Sequence, residues 1–480
     1  SGQIIKTHHY KKIADLIHSG NNIIVIGIPA SGKTTLLMQL ASGMESEKPK
    51  HILYTPTIAE VDRYCKMVGN EKVMVFVDNC LNDYRALAQL MNKTPIQVIG
   101  FERDNRYESI AYRLMESGLR FELYDVSEVN EQDITRIIGS IPKGMFSGKI
   151  IELKDNTIFE TIRKHTKVPV MEDRFAEVLR DLYSYDEKAT ELFLMISYVH
   201  SCGVPVSYDM IYSYLEEDNY QDVYRDIKNI GKLITECYNQ DFGFLGEISL
   251  DDQDYYKCRT RYLAELIIQK VPNYKLMRLV LNKFVERVPV FKICRYDVFK
   301  FTAFDADIVT RYFTKYEDGI EFYKKCLEIE DSAFMYQQIA LYASRKRKYS
   351  DAFRWIDKAK NCERRNIFSI RNTHAIILFN ANISKENEDG SVIATLHQSL
   401  EILKDCYKND LRKGFHARIF GELVLKFYKI YGYDEVEKYI ETANEWLEIE
   451  MASKSNGNRS IKKMRQVKKD IEKKIISPNS

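Results

Sequence analysis

The sequence predicts an α/β domain built on a parallel sheet, joined through smaller modules to an all-helical second half. Two observations carry that expectation. Between residues 21 and 125, short apolar runs such as Ile23-Ile24-Val25-Ile26 and Val73-Met74-Val75-Phe76-Val77 alternate with amphipathic stretches, whereas the last 200 residues show helical spacing alone. Apolar runs separated by helices are the pattern of parallel strands covered on both faces. The first run also closes on the glycine-bounded loop Gly27-Ile28-Pro29-Ala30-Ser31-Gly32-Lys33-Thr34, followed by Thr35 and the helical run Leu36–Leu40.

Strand, glycine-bounded loop, Lys-Thr and helix is the context in which G-x-x-x-x-G-K-[ST] holds phosphates. Backbone N–H groups of Gly27, Pro29–Gly32 (proline excepted) and the helix start at Lys33, Thr34 and Thr35 can close around the anion, and the helix N-terminus favours negative charge. Lys33 reaches the β/γ-phosphates and the Thr34 hydroxyl ligates Mg²⁺. The strand ending Val77-Asp78 supplies the Walker B carboxylate, which makes Thr34 and Asp78 the predicted metal residues. Asn79 stands where many ATPases carry an acidic base, so hydrolysis is expected to be weak or slow. Lys33, Asp78 and Arg103 are the candidate catalytic residues. Arg103 follows the fourth run, Ile96–Gly100, and at the end of a strand beside Asp78 it would face the γ-phosphate, with Arg106 and an Asp104 ion pair as competitors.

In chain order, residues 1–20 read as a lead-in helix and 21–140 as the P-loop core, with strands at His51–Thr55 and Arg120–Tyr124 completing the sheet. Residues 141–185 read as a helical lid. Residues 186–275 have a winged-helix pattern: two helices about Cys202–Val206, a third at Tyr220–Ile230, then arms Phe242–Leu250 and Tyr255–Arg259 around an acidic turn. Residues 276–452 read as TPR-like repeats, on Ala340, Tyr342, Ala352, Phe353, Ile356 and Ala359, with echoes at Ala375 and Tyr433–Ala443. The tail 453–480 is basic, with nine Lys/Arg between Lys454 and Lys474 and Ile461, Met464, Val467 and Ile471 at helical spacing; such a helix is expected to be solvated.

Bulk properties exclude several classes. Lys+Arg 71 against Asp+Glu 69 leaves a net +2, so no global field draws the 480-residue chain to nucleic acid or membrane. No apolar run approaches the ~20 residues of a membrane span. Nine scattered cysteines without a C-x-x-C pair fit reduced thiols and a cytoplasmic location. Asn92-Lys93-Thr94-Pro95 lacks the aspartate a guanine site needs, an L-S-G-G-Q stretch of ABC ATPases is missing, and the helical half offers no second helicase motor.

Gly27–Thr34, Val73–Asp78, Glu102-Arg103-Asp104 and Tyr256–Glu265, in this order, resemble the STAND class of signal-transduction ATPases, which includes innate-immune receptors and bacterial antiphage sensors. Relatives carry a nucleotide-sensing histidine at the end of the winged helix; Thr260 occupies the aligned position here. The resemblance implies an ATP/ADP- and Mg²⁺-binding switch. It further implies that a protein ligand, such as a phage protein, engages the C-terminal repeats, nucleotide exchanges, and a homo-oligomer forms. The chain opens Ser1-Gly2, not Met, so an N-terminal segment is expected to be missing, and the resemblance implies that an effector domain lies there and supplies the output. The alternatives are an ATP-dependent transcription regulator and an AAA+ initiator-like DNA-binding ATPase, which would use a basic wing and a lid arginine such as Arg163 or Arg174. The acidic turn of the wing argues against nucleic acid as the partner.

Overall fold

The computed structural model describes residues 5–141, 158, 183–184, 186–216, 219–231, 233–237, 254–258, 261–270, 273–362, 368–385, 390–410, 413–452 and 459–473. The expected lid, with Arg163 and Arg174, therefore lies almost entirely outside the described residues, as do Thr260 and the Phe242–Leu250 arm.

The core opens with α1 (His8–His18), β1 (Ile23–Gly27), α2 (Lys33–Gly43), β2 (Lys50–Tyr54), α3 (Ile58–Val68) and β3 (Met74–Asp78). It continues through α4 (Tyr84–Asn92), β4 (Gln97–Arg103), α5 (Asp104–Glu116), β5 (Glu122–Asp125) and α6 (Glu131–Ser140). The five strands are parallel, in the order β2-β3-β4-β1-β5. Successive strand residues point to opposite faces, and here both faces are dry. Ile23, Val25, Phe76, Ile99 and Phe101 pack with Ile13 and Ile17 of α1 and Leu36, Leu37 and Leu40 of α2. Ile24, Ile26, Val75, Val77 and Val98 pack with Val61 and Tyr64 of α3, Leu87 and Leu90 of α4, and Ile110 and Leu114 of α5.

Local signals set several ends. Thr57 and Glu60 form a reciprocal capping box at the start of α3, which satisfies two orphan donors. The Asn130 side chain accepts from the Asp133 N–H and caps α6, so that helix begins at Glu131. β4 is longer than expected, and its last residue is Arg103 itself.

The second part holds α7 (Glu187–Ser201), β6 (Val206–Ser207), α8 (Tyr208–Leu215), α9 (Tyr220–Asn229), β7 (Ile234–Cys237), β8 (Tyr255–Cys258) and α10 (Arg261–Lys270). Its strands form an antiparallel sheet in the order β6-β8-β7. β8 pairs with β6 on one side, Val206 opposite Tyr256, and with Ile234–Cys237 on the other, Ile234 opposite Cys258, a strand that the sequence reading left unassigned. α7 is buried nearly all round, and its core runs without a break from Ala189 to Tyr342.

Helices alone follow: α11 (Tyr274–Arg287), α12 (Tyr296–Ala303), α13 (Ala306–Tyr312), α14 (Tyr316–Ile329), α15 (Ala333–Arg345) and α16 (Tyr349–Cys362), then α17 (Phe368–Asn382), α18 (Ser391–Asn409), α19 (Lys413–Tyr431), α20 (Glu437–Ala452) and α21 (Arg459–Ile471). Consecutive helices pack in pairs. Ala340, Ala343, Ala352, Ile356 and Ala359 form the seam between α15 and α16. α21 is not solvated: Met464, Val467 and Ile471 are buried with Phe420, Val424 and Leu447 of α19 and α20. The helix also reaches α5 of the core. No helix among the described residues is long and apolar enough to cross a membrane.

Candidate nucleotide site

The loop 27–34 leaves β1 and enters α2 with two forced glycines. A Cβ on Gly27 would lie 2.6 Å from the Ser31 Oγ, and Gly32 sits at φ +85°, in the left-handed region that side chains avoid. Gly32 is the N-cap of α2 and supplies no side-chain cap, which leaves the first-turn donors of that helix to another acceptor. The opposite wall is fixed by Ser127, whose Oγ accepts from the Ile28 N–H at 3.1 Å.

Lys33 folds onto its own loop. Its Nζ donates to the Gly27 and Ile28 carbonyls, both at 2.8 Å. Burial, and then the charge of Arg103, pull its pKa down to about 8. An ammonium held by the neutral Gly27 and Ile28 carbonyls and the Ser31 hydroxyl is under-compensated, so an anion in the loop suits it. Thr34 Oγ1 donates to Asp78 Oδ2 at 3.1 Å, which brings the two predicted metal residues together between the first turn of α2 and the end of β3. Burial raises the Asp78 pKa, opposed by the hydrogen bonds from Thr34 and the Asn79 N–H. No cluster of three or more His, Cys, Asp or Glu able to hold a metal occurs among the described residues. Mg²⁺ fits such a site because it takes one hydroxyl and one carboxylate and fills its sphere with phosphate and water.

Pro29, Ala30, Ser31 and Thr35 take their expected places in the loop and first turn, with Ala30 at φ +62°. Arg103 lies in register with Gly27 at the C-terminal end of β4, the strand between the P-loop strand and the Asp78 strand. Its guanidinium, however, is ion-paired to Glu265 of α10 and does not reach across the loop as a free cation. Glu265 also accepts from Arg261 Nε at 3.1 Å, and Arg261 donates to the Ser201 carbonyl. The Arg261 guanidinium lies close over Gly203, whose φ of +90° and missing Cβ make room for it. Burial and Arg103 together pull Arg261 down to about 10.

Three members of this site escaped the sequence reading as functional groups. Glu102, 2% exposed, receives the Leu81 N–H at 2.9 Å and the Arg103 N–H at 2.7 Å, and so ties the loop after Asp78 to the end of β4. Glu265 lay inside a quoted segment but carried no role. His200, at the end of α7, has an Nδ1 shielded from solvent without a hydrogen-bond partner, and burial with Arg261, Lys257 and Arg103 nearby lowers its pKa to about 3. The only signal for Glu102 was its place in Glu102-Arg103-Asp104; for His200 there was none.

Comparison with known proteins adds a family. Residues 4–97 match the family described as Novel STAND NTPase 3. The match spans α1, the P-loop and the Asp78 strand, less than half of the chain, and with the geometry above it supports a P-loop NTPase core. No curated protein matches the chain. Among solved structures, "Structure of Drosophila ORC bound to AT-rich DNA and Cdc6" aligns at 10% identity and a TM-score of 0.21, covering 55% of this chain and 90% of that chain. A score at that level carries no argument.

Proposed function

We propose that the chain is a nucleotide-operated switch, and the ion pair between Arg103 and Glu265 is the observation that supports it most strongly. ATP or ADP with Mg²⁺ sits in Gly27, Pro29–Gly32, Lys33, Thr34 and Thr35, with Thr34 and Asp78 on the metal. Bound nucleotide replaces the Gly27 and Ile28 carbonyls as the partner of Lys33. With ADP, Arg103 stays on Glu265 and holds α10, and through it the winged-helix-like segment 186–275, against the core. A γ-phosphate competes for Arg103, because the guanidinium at the end of β4 has two acceptors within the same edge of the sheet. Release of Glu265 then frees the second part to move. Differential affinity of ATP for the two arrangements is what drives the change.

In this reading the TPR-like helices 276–452 receive a protein ligand, the opened form self-associates as a homo-oligomer, and an N-terminal effector delivers the output, with antiphage defence as the setting. Asn79 after Asp78 fits slow hydrolysis, which keeps a switch in one state for long enough to signal. The experiment is calorimetric titration of the protein with ADP–Mg²⁺ and ATP–Mg²⁺, before and after Glu265→Gln. The switch predicts that the substitution favours ATP over ADP. An unchanged ratio with intact binding removes the coupling, and tight DNA binding with a steep salt slope returns the DNA-binding alternatives.

A further inference from the structure

α21 lies in a groove that matches it in shape and in charge. Met464, Val467 and Ile471 stand three and four residues apart, and all are buried among Phe420, Leu423 and Val424 of α19 and Leu447 of α20. Gly421 of α19 makes the floor. A Cβ there would lie 2.8 Å from Val467 Cγ1 and 3.3 Å from Leu447 Cδ1, so the missing side chain is what lets α21 approach. A glycine inside a helix is otherwise a loss of stability relative to alanine. The two sides carry opposite charge: α20 has five glutamates and one lysine, α21 six Lys/Arg and one aspartate. Glu441, Glu445 and Glu448 are exposed and, at spacings of four and three, share one face of α20. Lys468 of α21 lies 3.6 Å from Glu448 and 3.4 Å from Glu472. A helix of 13 such polar residues is marginal by itself, so the groove supplies its order.

We propose that the α19–α20 groove is a docking site for a basic amphipathic helix of a protein partner, and that α21 fills it as a tethered stand-in until such a helix displaces it. The proposal rests on the reading of helices 276–452 as the part that receives a protein ligand, and it names the surface and the chemistry. Helix-in-groove recognition reads apolar anchors at i, i+3 and i+7, the spacing α21 presents. The glutamate face of α20 selects Lys/Arg-rich helices over acidic ones. Residues 453–458 tie α21 to the end of α20, and so short a tether gives it an effective concentration on the order of millimolar. Only a partner that suits the groove well competes with it. Displacement also reaches the core, because α21 touches α5, which begins directly after Arg103, and a displaced α21 gives up that contact.

The test is a titration of the full chain with three fluorescently labelled peptides. One is residues 459–474, one is a designed helix that keeps only the spacing of Met464, Val467 and Ile471 among Lys/Arg, and one is that design with Glu in place of Lys/Arg. Val467→Asp puts a charge into the apolar seat and loosens α21, so both basic peptides should bind this variant about tenfold more tightly than wild type. Met464→Ser, which adds no charge, should shift them the same way by less and keeps the comparison if Val467→Asp unfolds the chain. Adding Gly421→Val to either variant should weaken both basic peptides about tenfold, and the acidic design should not bind. Failure of both basic peptides to bind a loosened chain overturns the proposal, as does binding that neither loosening α21 nor filling Gly421 changes. Equal binding of the acidic design overturns it too. Binding of 459–474 alone assigns the groove to this chain's own helix, in one copy or between two, and likewise overturns it. The readout involves no nucleotide, so its failure and a failure of the ATP-to-ADP test at Glu265 are told apart.

Discussion

Lys33 and Thr34 find their partners nearby, the lysine on carbonyls of its own loop and the threonine on Asp78, 44 residues away. Arg103, the register partner of Gly27 on the same edge of the same sheet, takes Glu265 from 162 residues downstream. The first set can hold a ligand with the core alone. The second set ties the core to α10. The phosphate loop is therefore held by pairings inside the core, and the strand end beside it by a long-range pair.

The largest expected effect attacks the local side. Lys33→Ala should weaken ATP–Mg²⁺ binding by about 100-fold, roughly the 2.7 kcal/mol of a charge-assisted contact to phosphate, as read by calorimetry. Binding within a few-fold of wild type would mean that the loop does not use its lysine. On the long-range side, Glu265→Gln should raise the ATP-to-ADP affinity ratio by about tenfold, within the usual range of coupling energies. In a double-mutant cycle, Arg103→Ala should abolish that gain, and additive effects would show that the pair does not communicate.

A smaller effect separates the two sides by pH. The free Lys33 titrates at about 8, and a phosphate partner raises it, so nucleotide binding should take up a proton above that value. Affinity should fall about fourfold between pH 7 and 8.5, with an observed heat that depends on the ionisation enthalpy of the buffer. The smallest effect concerns His200 and, in the core, His9, lowered to about 3 and about 4, in both cases chiefly by burial. Both fold as neutral bases, and the unfolded chain binds their protons first. Stability should therefore decline as pH falls from about 6.5 toward 3, by at most ~1.4 kcal/mol per pH unit per histidine. Comparing urea midpoints of wild type and His200→Gln across that range isolates one share; identical curves would place the imidazole in water.

The same division governs what the sequence disclosed. The places of Gly27–Thr34 and Asp78 at strand ends were legible because each depends on residue type within a few positions of an apolar run. The place of Arg103 at the end of β4 was legible in the same way, but its side-chain partner was not, because nothing in Tyr256–Glu265 marks which carboxylate meets which arginine until α10 is folded onto the core. Glu102 was hidden by alternation: on a buried strand an acidic residue reads as a strand end, whereas here it is an anchor for two backbone donors. The strand Ile234–Cys237 is four residues long, too short to show a period. In the tail, the spacing of Met464, Val467 and Ile471 was visible, but periodicity gives a face and not its destination.

That destination has a mechanical meaning. With α21 lodged on α19 and α20 and also touching α5, the path of contacts through the molecule closes into a ring. An open string of helices flexes freely at its far end, and strain put into it dissipates there. A ring has no far end. Anything that alters the curvature of the helical half must stretch or break a seam, and the seam at α5 belongs to the element that follows Arg103 in the chain. The high local concentration of a tethered contact makes such a seam quick to re-form and sensitive to small losses of attraction. Helix packing at residue 467 can thus be felt near residue 104 without a signal travelling the length of the array.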